Sequence, residues 1–171
     1  MGRDKAAVEV DGVASLDRVV AAAVAAVGEV VVVGGDRDGA LADLAPGGGP
    51  VQAITAAFRA HPGRALIVLG CDMPFVTAAL VERLASHAAS QHDATLVVVD
   101  EHPQPLCACY MPAAGAAFEG ALGRGERALK RVVAALDVAW LAGESLPEEE
   151  RRGTRDFDTP EDLERLLSEG R

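Results

Sequence analysis

Aromatic residues make up only 4% of this 171-residue chain, so Ala, Val and Leu must fill its core. The chain is also poor in lysine, with Lys5 and Lys130 its only two. Its formal net charge of −10 leaves no basic surface on which a duplex or long nucleic acid could neutralise its phosphates. No apolar run approaches the roughly 18 residues needed to span a bilayer, and the start of the chain has no signal-peptide pattern. The expectation is a cytoplasmic protein with neither nucleic acid nor membrane as partner. Cysteine is scarce too. Cys71, Cys107 and Cys109 are odd in number and lack metal-finger spacing, which argues against a disulfide framework and against tetrahedral zinc. Alternation along a strand puts Cys107 and Cys109 on one face, as buried thiols.

What is present is a half-apolar chain long enough for one sizeable core. The whole of 1–171 reads as a single domain. Continuous β-branched runs at 29–33, 65–69 and 94–99 predict strands buried on both faces. Between them, residues 15–27, 50–61 and 77–89 carry apolar side chains at helical spacing. Ser15 and Thr77 are candidate N-caps, and Gly28 is a candidate C-cap. Further along, 106–110 and 137–141 read as strands, and 113–122, 126–136 and 160–169 as helices. Residues 146–152 read as a charged, solvated loop. The alternation predicts an α/β fold with a doubly wound, mostly parallel sheet, a Rossmann-like three-layer sandwich.

Five segments carry candidate chemistry. In Leu69-Gly-Cys-Asp-Met-Pro74 a buried strand runs directly into Asp72, at the strand end where open α/β sheets bind ligands. Asp72 is either a ligand for a hard cation such as Mg²⁺ or a cap for the next helix. In Asp156-Phe-Asp-Thr-Pro-Glu-Asp-Leu163, Asp156 and Asp158 point to one face of an extended stretch. Asp158 or Thr159 can also cap the helix opened by Pro160, which leaves Asp156 unexplained. Asp72 and Asp158 together could hold one Mg²⁺ on a triphosphate. Asp43-Leu-Ala-Pro-Gly-Gly-Gly-Pro50 is either a flexible surface loop or a backbone that approaches a ligand closely. Lys5 offers a compact ammonium for a phosphate oxygen, or is a solvated terminal residue. His102 and Gln104, beside Pro103 and Pro105, are candidates for contacts with a second substrate.

Taken in order, these segments resemble the molybdenum cofactor guanylyltransferases of the MobA type, within the nucleotide-diphospho-sugar transferase-like superfamily. Met1-Gly-Arg-Asp-Lys5 is similar to the end of that family's opening signature. Asp43 to Pro50, Cys71-Asp-Met-Pro-Phe75, Gln104-Pro-Leu-Cys-Ala108 and Asp156 to Leu163 are similar to its later motifs. Gln52, Ala53 and Asp158 stand where the family has a small residue, Gly and Asn. The family's first strand and Leu-Ala-Gly-Gly loop are missing from this sequence, so the resemblance implies an N-terminally truncated member. It also implies residue roles. Lys5 would bind the triphosphate. Asp43 and Gly49 would line the guanine and ribose site. Asp72, with Asp158, would hold Mg²⁺. The implied reaction joins GMP from GTP to molybdopterin and releases pyrophosphate, with cofactor-biosynthesis or acceptor proteins as transient partners. The alternatives are a cytidylyltransferase or other NTP transferase of the same superfamily, and a non-catalytic nucleotide-binding protein lacking the phosphate loop.

Overall fold

The chain is described by a computed structural model covering residues 5–35, 37–45, 47–87 and 91–168. Met1 to Asp4 of the opening signature, the last two residues of the helix expected at 77–89, and Glu169 lie outside the described residues. After one 3₁₀ turn at Lys5–Ala7, β1 (Glu9–Val10) and β2 (Val13–Ala14) form a hairpin. Its two-residue turn is Asp11-Gly12, both at positive φ. Asp-Gly tolerates that conformation, and the resulting twist suits paired strands.

The remaining elements are α1 (Ser15–Val27), α2 (Gly49–Ala60), β3 (Leu66–Leu69), α3 (Ala78–Ser86), β4 (Ala94–Val99), β5 (His102–Tyr110), α4 (Ala114–Gly123), α5 (Leu129–Val133), β6 (Val138–Ala142), α6 (Glu148–Gly153) and α7 (Pro160–Ser168). The sheet order is β3-β5-β4-β6. β4 and β6 pair in parallel, while β5 runs antiparallel to both β3 and β4. Three of the four strands therefore point one way, with a single reversed strand among them.

Two apolar clusters cover the two faces of the sheet. One packs α2, α4 and α5, through Ile54, Phe58, Phe118 and Val132, against Leu96, Ala108 and Tyr110. The other packs α1 and α3, through Val19, Leu80, Val81 and Leu84, against Val97, Cys107 and Cys109. This is the expected three-layer α/β arrangement, and the alternation along β5 puts both thiols on one face. Each fully buried Leu or Phe contributes roughly 1.5–3 kcal/mol. Tyr110 meets Phe118 edge-on with ring centroids 5.2 Å apart, and its buried hydroxyl donates to the carbonyl of Pro105 at 2.8 Å.

The structure corrects five local readings. Residues 29–33 form no ladder, apart from a bridge between Val33 and Leu41. A cavity of about 1040 Å³ is lined both by residues 30–33 and by residues 66–69, and strands pair only when their backbones approach to about 4.8 Å. β5 begins at His102 rather than Leu106. Pro103 lies opposite Val98 of β4 alone, and Pro105 falls in the irregularity between Gln104 and Ala108; an edge and a bulge are the places in a sheet that tolerate a missing N–H. The helix expected at 126–136 shortens to α5: at its start the Glu126 carboxylate accepts from the amides of Arg127 and Ala128 and keeps 126–128 out of the helix. Residues 146–152 are not a solvated loop: most of the stretch is in α6, and Glu150 is 6% exposed. Ser15 does not cap α1. It is the first helical residue, fully buried, and its hydroxyl donates to the carbonyl of Cys71 at 2.7 Å. Thr77 caps α3 and Gly28 closes α1 as expected. No helix among the described residues is long and apolar enough to cross a membrane.

Candidate active site

β3 hands the chain to Gly70-Cys71-Asp72 at its carboxyl end. The Gly70 amide donates to Leu106 O at 2.9 Å and so prolongs the pairing with β5. A Cβ at Gly70 would stand 2.6 Å from Asp72 Oδ1. Only glycine lets the carboxylate fold back there, and its side chain is left 15% exposed.

Two remote segments converge on that carboxylate. Lys5 Nζ lies 3.0 Å from Asp72 Oδ2 and 2.5 Å from Asp158 Oδ1. One ammonium thus joins side chains from the first and last parts of the chain to the end of β3. Partial burial lowers the Lys5 pKa, but the hydrogen bonds to Asp158 and Asp72 and their negative charges outweigh it. The net shift is upward, so the group stays cationic.

The segment after α6 runs back along the 72–76 loop. The Phe157 amide donates to Asp72 O at 3.2 Å. A Cβ at Gly153 would stand 2.9 Å from Phe75 O, so a bare backbone is needed for that approach. Thr159 and Asp162 then cap α7 reciprocally. The Asp162 amide donates to Thr159 Oγ1 at 3.1 Å, and the Thr159 amide to Asp162 Oδ2 at 3.0 Å. That is the capping-box geometry, with Thr159 rather than Asp158 as the cap. The Asp158 carboxylate is left facing Lys5. Crowding by protein atoms pushes the Asp156 carboxyl up, helped by the charges of Asp72 and Asp158, while a bond to its own backbone and the charge of Lys5 act against the rise. Asp156, unexplained in the sequence, therefore belongs to the same electrostatic cluster.

Beside the cluster lies a cavity of about 370 Å³, whose lining includes Gln104, Arg155, Asp156, Asp158 and Arg165. Gln104 thus lines the same cavity as Asp158. His102 is an exposed residue whose Nδ1 lies 2.5 Å from Asp100 O. Asp43 packs against Gly34, where a Cβ would stand 2.9 Å from Asp43 Oδ2. Gly49 opens α2 at φ 73°. The structure brings Lys5, Asp72 and Asp158 to one place, and Gln104 lines the neighbouring cavity that Asp158 also lines. Among the described contacts Asp43 and Gly49 make none with Lys5, Asp72 or Asp158, and His102 meets this region only through its carbonyl, which accepts from Gln104 Nε2 at 3.3 Å. Arg155 and Arg165 were missed by the sequence reading, since nothing in their spacing distinguishes them in an arginine-rich chain.

The donor set suits Mg²⁺. Asp72 and Asp158 are hard oxygen ligands within one ammonium's reach of each other. No group of three or more His, Cys, Asp or Glu among the described residues forms a ready-made metal cage. Mg²⁺ is commonly held in this manner, by one or two carboxylates with substrate phosphates and water completing its shell.

The model of a family described as the MobA-like NTP transferase domain matches residues 1–140. A protein of Pelotomaculum thermopropionicum named "Probable molybdenum cofactor guanylyltransferase" is 32% identical over 129 residues, covering 71% of this chain and 62% of that protein. One of the same name from Opitutus terrae is 36% identical over 123 residues, covering 70% of this chain and 60% of that protein. The chain therefore spans about three-fifths of the length of these curated relatives. Among solved structures, the molybdopterin-guanine dinucleotide biosynthesis protein A of Archaeoglobus fulgidus superposes with a TM-score of 0.81 at 25% identity, covering 99% of this chain and 91% of that one.

Proposed function

Because this chain belongs to the family of MobA-like NTP transferase domains, we propose that it is a nucleotidyltransferase that moves GMP from GTP to molybdopterin and releases pyrophosphate. The observation that carries the reading is the convergence of Lys5, Asp72 and Asp158 at the end of β3. The names of the relatives support the choice of donor and acceptor. Asp72 and Asp158 would hold Mg²⁺, which supplies charge neutralisation on the triphosphate. Lys5 moves from the carboxylates to a phosphate oxygen when the nucleotide arrives. Asp43 and Gly49 contact the guanine and ribose. Gln104 and His102 contact the acceptor, Gln104 from the wall of the cavity it shares with Asp158.

An oxygen of the acceptor phosphate attacks the α-phosphorus, a new P–O–P bond forms, and the bond to the β-phosphate oxygen breaks. The nucleophile is already anionic, so no protein group has to remove a proton from it. The chain's contribution is alignment and electrostatic stabilisation.

The test is pyrophosphate release from GTP and, separately, CTP, with Mg²⁺ and molybdopterin. Turnover is expected with GTP, and Asp72→Asn is expected to reduce it by at least about a hundredfold with an unchanged circular dichroism spectrum. Faster turnover with CTP would reassign the donor base. Unchanged turnover in Asp72→Asn would remove the carboxylate from the reaction.

A further inference from the structure

Phe75 sits between two guanidinium groups from opposite ends of the chain. Arg152 Cζ lies 3.9 Å from the ring centroid and Arg18 Cζ 5.8 Å from it. Both arginines are also tied to backbone. Arg18, on α1, donates from Nε to Pro74 O at 2.9 Å. Arg152, on α6, donates from one terminal nitrogen to Leu166 O on α7 at 2.8 Å. The ring, just past Asp72, is thereby linked to the helices before and after Asp158.

The backbones on either side of this grip run antiparallel to one another. Gly153 abuts Phe75 and Val76, and four residues later the Phe157 amide bonds Asp72 O. α6 is itself held to α3 by a two-pronged pair, Arg83 with Glu150, at 2.7 and 2.9 Å. Asp158 itself is tied by single hydrogen bonds, its carboxylate to Lys5 at 2.5 Å and its amide to Asp162 Oδ2 at 3.3 Å. Its carboxylate is 78% exposed, and its separation from Asp72 depends on where the 152–157 segment lies.

We infer that Arg152 is a positioning residue, which acts by stacking on Phe75 to set the spacing of Asp158 against Asp72. The inference rests on the proposed metal site. Arg152 touches neither substrate nor metal. It fixes the segment that delivers the second carboxylate, and a dication shared by two carboxylates requires both within its coordination distance. Arg suits the position better than Lys, because a flat guanidinium can lie on a ring while its edge donates to a carbonyl.

The test uses Mn²⁺ titrated into the protein without nucleotide, with amide hydrogen exchange at Phe157 read in parallel. Arg152→Met and Phe75→Leu are each expected to weaken Mn²⁺ affinity by about tenfold, the scale of changes behind a metal ligand. Both should speed exchange at Phe157 while the β4 and β5 amides stay protected. The double variant is expected to be little worse than either single one, since the two share one contact. Phe75→Tyr keeps a ring and is expected to restore affinity. Faster exchange with unchanged Mn²⁺ affinity would make the stack merely structural and overturn the inference, as would unchanged exchange at Phe157. Asp72→Asn separates the two readings: if it binds Mn²⁺ like the parent protein, the metal site is wrong and the positioning role falls with it. Should Arg152→Met fail to fold, Phe75→Leu against Phe75→Tyr carries the same comparison.

Discussion

Lys5 Nζ stands 2.5 Å from Asp158 Oδ1, across 153 positions of sequence, and in this state it occupies the space between two carboxylates. A dication entering that space must displace it. Lys5→Met is therefore expected to bind Mn²⁺ several-fold more tightly than the parent protein in the absence of nucleotide. It should bind Mg²⁺–GTP about tenfold more weakly, because a charge-assisted contact to phosphate is lost. Calorimetric titration of both ligands checks the pair of signs. If both affinities fell together, the ammonium would be a structural tie and not a phosphate ligand. The raised Lys5 pKa contributes stability that is complete below the ordinary lysine value and lost only as the pH climbs through the shifted one. No change from this group is expected between pH 6 and 9.

Arg83 and Glu150 predict the opposite pH dependence. The Glu150 side chain is 7% exposed, and the hydrogen bonds and charge of Arg83 hold its pKa below the usual carboxylate value, with burial acting against them. Its contribution is present above the unfolded-state value and lost as the pH falls through the lowered folded one, below about 4.5. Arg83 is 40% exposed, so solvent screens part of the pair. Glu150→Gln is expected to cost about 1–3 kcal/mol at pH 7, with a narrower gap to the parent protein at pH 3. Urea denaturation at the two pH values measures this. A constant gap would mean that packing, not charge, dominates.

The end of β3 and the caps Thr77 and Gly28 were legible in the sequence because their signals are local. The run at 65–69 marked β3, Thr77 its helix start and Gly28 a helix end, and each depends on residues within a turn or two. Residues 29–33 misled because a β-branched run reports the desire to be buried, while a ladder also requires a neighbour within hydrogen-bonding distance. Lys5, Asp72 and Asp158 could be named from their motifs, but the single ammonium joining them is a tertiary fact. The contacts of Arg18 and Arg152 with Phe75 were invisible for the same reason. They span most of the chain, and an arginine in an Arg-rich sequence announces nothing.

Ser15 is the other tie between α1 and the loop that carries Asp72. Its fully buried hydroxyl donates to Cys71 O at 2.7 Å. Ser15→Ala removes that donor from the part-buried Cys71 carbonyl, at a cost of about 0.5–1.5 kcal/mol. Thermal unfolding is expected to report that loss. Gly is not an equivalent control, since it adds helix-destabilising entropy of its own. Cys substitutes a weak donor of nearly the same shape, and Ser15→Cys should lose less than Ser15→Ala. An unchanged melting temperature in Ser15→Ala would mean that the bond contributes nothing net.

The three thiols should separate sharply by reactivity. Burial pushes Cys107 up to about 12 and Cys109 up to about 11, both 0% exposed on the same face of β5, whereas Cys71 is partly exposed at the end of β3. The reacting species is the thiolate. At pH 8 the two β5 thiols are almost wholly protonated and shielded as well. Treatment of the folded protein with a thiol-specific disulfide reagent is expected to release one equivalent of chromophore quickly. Two more should follow at the rate of unfolding, and all three should react at once in strong denaturant. The fast equivalent should vanish in Cys71→Ser. It should also slow when Mg²⁺–GTP is bound, because Cys71 is joined directly to Asp72 in the loop proposed to hold the metal. If the fast phase is indifferent to Mg²⁺–GTP, the nucleotide does not cover the end of β3.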